Sequence, residues 1–148
     1  GPAGRPDMAY FGFTNKLVKG EKIQIFNFGN CKRDFTYVDD IVEGVIRVMQ
    51  KAPVRSVGDD GLPVPPYAVY NIGNNKPEKL MDYIAALEKA LGREAKKEYL
   101  PMQPGDVYQT YADVADLIRD FDFKPSTSIQ DGLNRFAEWF LPYYGYTK

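Results

Sequence analysis

Apolar residues along this chain recur every third or fourth position, then alternate, then recur again, and those switches predict an order of elements. Asp7 is placed to cap a helix running to about Lys19, with Ala9, Phe13 and Leu17 on one face and Gly20 as its left-handed stop. "KIQIFNF" alternates as a strand does, and Gly29-Asn30 turns the chain into "CKRDFTYVDD". A second helix is expected from Asp39 or Asp40, with Ile41, Val45 and Val48 as its apolar face. Residues 52–67 are rich in proline and glycine and predict a long surface loop. "YAVYNIG" then reads as a short strand buried on both faces.

Pro77 suits a first helical turn, and Leu80, Ile84, Leu87 and Leu91 define an amphipathic helix that ends at Gly92. "KKEYL" predicts a brief strand and "PMQPGD" a turn. Asp113 opens a short helix to about Phe121. Thr127 and Gln130 have capping-box spacing ahead of a last helix carried by Ile129, Leu133, Phe136 and Phe140. Strands and helices alternate, an α/β habit, yet the strands are few and short for a complete dinucleotide domain.

Composition narrows the chemistry. The 148 residues make one domain, 1–148, and a net charge of −1 argues against a general nucleic-acid binder. No apolar run is long enough to cross a membrane, and no signal peptide is visible. The single cysteine, Cys31, permits no internal disulfide, which favours a cytoplasmic setting. There is no histidine, so histidine-dependent nucleophiles and the usual zinc sites are excluded within these residues. An opening on "GPAGRPDMAY", without methionine, is expected of a chain cut from a longer protein.

The densest candidate chemistry is "CKRDFTYVDD". If Arg33 to Val38 is extended, Arg33, Phe35 and Tyr37 share one face at about 6.6–7 Å intervals. A guanidinium and a ring at that separation match a phosphate and a nucleoside base. The competing reading is an exposed Arg33–Asp34 ion pair over two packed aromatics, the commoner fate of such charges. Asp39 and Asp40 fit a helix start better than an acid/base pair, because adjacent carboxylates point apart. Cys31 lacks a histidine partner, although Lys32 and Arg33 beside it would lower its pKa.

"GRPDMA", "RDFTYVDDIVEGV" and "QPGDVYQTYAD", in that order, resemble the carboxy-terminal part of the NAD-dependent epimerase/dehydratase family, the extended short-chain dehydrogenase/reductases. The similarity runs over essentially the whole chain and is nearest the UDP-glucuronate 4-epimerase branch. It implies a small mixed α/β substrate-binding subdomain, with few short strands and about five helices, without the Rossmann domain. By the same resemblance Arg33 contacts the diphosphate and Phe35 lies near the uracil, while Gln24 and Phe26 line the base pocket. Asp106 holds ribose hydroxyls, Arg5 reaches the sugar carboxylate, and Gln103 stands where galactose-type relatives carry an arginine.

The family's mechanism is oxidation at sugar C4 by NAD, rotation of a 4-keto intermediate and hydride return. No glycine-rich dinucleotide turn occurs in these residues, so NAD is expected on a missing amino-terminal domain together with the catalytic Tyr-x-x-x-Lys pair. Tyr144 and Lys148 have that spacing but sit at a fraying end. The expectation is therefore a UDP-sugar grip with no catalytic, cofactor or metal residue of its own, inactive alone. A dehydratase or decarboxylase on the same scaffold, or a non-catalytic module, remain the other readings. Family dimers form through Rossmann helices, so the resemblance says nothing about assembly of these residues.

Overall fold

A computed structural model describes all residues, 1–148. In chain order the elements are α1 (Ala9–Lys19), β1 (Lys22–Ile25), β2 (Lys32–Asp34), α2 (Val38–Gln50), β3 (Ser56–Val57) and β4 (Pro63–Val64). They continue with β5 (Pro77–Lys79), α3 (Leu80–Leu91), β6 (Lys96–Tyr99), α4 (Ala115–Phe121) and α5 (Ile129–Tyr143). Strands pair only two by two: β1 parallel to β6, β2 antiparallel to β5, β3 antiparallel to β4. This is the small mixed α/β fold with five helices and short strands.

The core lies where α1, α3 and α5 close over β1. Strand β1 alternates, burying Ile23 and Ile25 while Lys22 and Gln24 face outward. Helix α3 buries Tyr83, Ile84, Leu87, Ala90 and Leu91, and α5 buries Leu133, Phe136, Ala137, Phe140 and Leu141. Phe11 of α1 meets Phe136 and Phe140 at 6.1 and 5.4 Å between ring centroids. Gly20 and Gly92 end their helices at φ 69° and 64°, as the sequence predicts.

Several expectations are corrected. Helix α1 begins after Met8 without a side-chain cap, because the Asp7 carboxylate is taken by Arg5. "KIQIFNF" leaves strand geometry at Phe26, where Phe26–Gly29 form a 3₁₀ turn with Asn27 and Phe28 at φ 50° and 51°. Residues 52–67 contain the β3–β4 hairpin. "YAVYNIG" forms no strand: Tyr67 and Val69 are exposed, and no neighbouring strand offers it hydrogen bonds. Pro77 enters β5 opposite Asp34 rather than α3, a strand end where its missing N–H is tolerated.

Helix α4 starts two residues after Asp113, whose carboxylate accepts the Ala115 N–H. The capping residue of α5 is Ser128, one position later than the sequence suggests. Its hydroxyl accepts the Asp131 N–H at 3.1 Å, while the Thr127 N–H is drawn to Asp40 instead. Gln130, the other half of the expected box, donates to the Ala86 carbonyl and ties α5 to α3.

Candidate functional site

The site forms around β2, where two distant segments meet. The Lys32 N–H donates to the Tyr108 carbonyl at 2.9 Å and the Thr110 N–H donates to the Lys32 carbonyl, so the segment after the Gln103–Asp106 turn lies against β2. That turn is closed by the Asp106 N–H to the Gln103 carbonyl, with Gly105 at φ 82°, the left-handed geometry glycine accepts. It carries Asp106 to Arg33: Arg33 Nη2 donates to Asp106 Oδ1 at 2.6 Å, with both side chains half-buried. Arg33 Nη1 donates to the Lys32 and Tyr108 carbonyls at 2.8 and 3.3 Å.

The Arg33–Asp34 ion pair considered from the sequence does not form. Asp34 instead accepts backbone N–H groups of Asn75, Lys76 and Ala112, fastening two loops to β2. The sequence reading missed this role, since nothing local marks which amides a strand carboxylate will collect.

Strand pairing of β2 ends at Asp34, and beyond it Phe35 and Tyr37 find partners other than those of Arg33. Phe35 stacks on Tyr83 at 4.3 Å and joins the core edge, which occupies one face of its ring. Tyr37 lies under Arg135 at 5.3 Å and contacts the Gly132 side of α5. Burial raises the Tyr83 hydroxyl pKa, and that hydroxyl has no hydrogen-bond partner.

The two aspartates do diverge as expected, but neither caps α2, which begins after Tyr37 without a side-chain cap. Asp39 pairs with Arg135 at 3.3 Å and Asp40 accepts the Thr127 N–H at 2.9 Å, tying the first turn of α2 to α5. The pKa of Cys31 moves upward, against the sequence hint. Burial of the thiol outweighs the pull of Arg33, which Asp106 also opposes.

The remaining candidates sit apart from this pair. Gln24 donates to Glu98 at 3.4 Å across the β1–β6 pair, and Phe26 is half-buried where β1 gives way to the 3₁₀ turn. Gln103 is exposed at the start of the turn that delivers Asp106. Arg5 is 73% exposed and engaged with Asp7. Among the expected residues, the structure brings Arg33 and Asp106 into direct contact.

The arrangement offers a cation for an oxyanion and a carboxylate for hydroxyl groups, side by side. Strand β1, in the one parallel pair, runs into the Phe26–Gly29 turn rather than a helix N-terminus, and β6 runs into Leu100-Pro101.

The description "NAD dependent epimerase/dehydratase family" matches residues 1–73. Protein CapI of Staphylococcus aureus is 53% identical over 150 residues, covering 97% of this chain and 45% of that protein. UDP-glucuronate 4-epimerase 2 of Arabidopsis thaliana is 42% identical, covering 97% of this chain and 34% of that protein. The crystal structure of UDP-glucuronic acid 4-epimerase from Bacillus cereus, in complex with UDP-glucuronic acid and NAD, is similar with a TM-score of 0.78. Its identity is 30%, over 94% of this chain and 41% of that one. The chain spans less than half the length of each of these relatives. It belongs to the NAD dependent epimerase/dehydratase family.

Proposed function

We propose that this chain is the carboxy-terminal, nucleotide-sugar-binding portion of an NAD-dependent epimerase that interconverts UDP-glucuronate and UDP-galacturonate at C4 through a 4-keto intermediate. The observation that carries the proposal is the Arg33–Asp106 pair, built from β2 and the Gln103–Asp106 turn. Arg33 would hold the diphosphate, which a planar guanidinium suits through parallel charge-assisted bonds. Asp106 would take ribose hydroxyls, with Gln24, Phe26 and Phe35 toward the base. Arg5 would exchange Asp7 for the sugar carboxylate and so select a uronic acid. Gln103, uncharged, leaves the diphosphate leaning on Arg33.

NAD would supply the hydride chemistry from outside these residues, whose sequence carries no glycine-rich dinucleotide turn. Their contribution is to keep the diphosphate fixed while the sugar turns. These 148 residues alone are expected to be inactive.

The test is turnover of UDP-glucuronate by the intact protein with NAD. Accumulation of UDP-galacturonate is the expected result. Release of carbon dioxide would assign a decarboxylase instead, loss of water a dehydratase, and no binding of any UDP-sugar a non-catalytic module.

A further inference from the structure

The Arg33–Asp106 contact leaves particular atoms without a protein partner. Arg33 commits Nη1 to two backbone carbonyls and one Nη2 hydrogen to Asp106. Of the five N–H donors of a guanidinium, Nε–H and the second Nη2 hydrogen then have no protein partner. Asp106 is divided in the same way. Oδ1 accepts from Arg33 and from the Val107 N–H at 2.8 Å, and Oδ2 accepts from nothing.

A mobile arginine loses rotamer freedom when it grips an anion, whereas one already held does not. Here the guanidinium is held by one carboxylate and two carbonyls. The segment that carries Asp106 is itself anchored to β2 by backbone bonds that do not involve the Asp106 side chain.

We propose that Asp106 is a positioning residue for Arg33, holding the guanidinium in one orientation so that its two free donors meet a ligand phosphate without rearrangement. This rests on the nucleotide-sugar reading and adds to the ribose role of Asp106 a second role exerted through Arg33. Asp106 therefore strengthens binding of the ligand's phosphate portion, which it does not itself touch.

The experiment compares UDP with uridine, which lacks phosphate, by NMR titration of the intact protein. The proteins are wild type, Asp106→Asn, Arg33→Lys and the double variant. Asp106→Asn is expected to weaken UDP by roughly ten- to a hundredfold, the range of a hydrogen bond to a charged group. Uridine should weaken less, by the loss of the ribose contact alone, and the excess loss for UDP should vanish in the Arg33→Lys background. Equal losses for UDP and uridine, or an excess that persists without the guanidinium, overturns the proposal.

A second readout needs no ligand. In ¹⁵N spectra of the free protein, rotation of the Arg33 Nη groups should be slow in wild type and fast in Asp106→Asn. Fast rotation in both also overturns it. If wild type binds neither UDP nor uridine while Asp106→Asn still frees Arg33, the nucleotide reading fails and the positioning role stands.

Discussion

Helices α3 and α2 both carry regular apolar stripes, and the stripes end in different surroundings. In α3, Tyr83, Ile84, Leu87, Ala90 and Leu91 are buried against α1, β1 and α5. In α2, Ile41 and Val48 of the expected stripe are half-buried, Val42, Val45 and Ile46 stay 43–49% exposed and Met49 77%, and Gly44 alone is fully buried. What fastens α2 is largely polar. Arg47 donates to the carbonyls of Phe121 and Asp122, Lys51 donates to the Asp120 carbonyl, and Asp39 and Asp40 reach α5 and Thr127. Apolar periodicity thus reports that a helix has two faces, but not which face the rest of these residues will cover. The α3 side is held by burial and the α2 side by hydrogen bonds and charge.

That contrast sets the size of several substitutions. Phe140→Ala, at the centre of the aromatic core, should cost about 3–5 kcal/mol in urea unfolding, because a fully buried ring leaves a cavity. A loss under about 1 kcal/mol would place the core elsewhere. Arg47→Ala should cost about 1 kcal/mol, a modest loss because the side chain is 40% exposed and its ion pair is screened. High salt should shrink the difference between that variant and wild type, but leave the Phe140→Ala loss intact. Ile46→Gln combined with Met49→Gln should change stability by no more than about 0.5 kcal/mol. A large destabilisation there would show that the α2 stripe is packed after all, and would erase the contrast.

The same contrast explains what was legible in the sequence. The α3 and α5 positions were readable because 3.6-residue spacing, and for α3 the glycine at its end, are local signals, and tertiary packing agreed with them. "YAVYNIG" was misread because its β-branched and aromatic residues report strand preference, while a strand also needs a partner to receive its hydrogen bonds. The one-residue shift of the α5 cap arose because Asp40, far away in sequence, competes for the Thr127 N–H.

At the site, Arg33 was visible as an unusual cation between a cysteine and an aromatic pair. Its partner was not, since Asp106 lies on a turn whose docking depends on Lys32 and Tyr108 backbone groups. Strand alternation grouped Phe35 and Tyr37 with Arg33, but it could not show that their rings engage Tyr83 and Arg135.

The central claim is that Arg33 grips the diphosphate of a nucleotide-sugar, and calorimetric titration of the intact protein with UDP tests it most directly. Arg33→Ala should weaken binding by about 2–5 kcal/mol, the range for truncating one partner of a buried charge contact. Unchanged affinity in a folded Arg33→Ala protein would contradict the account.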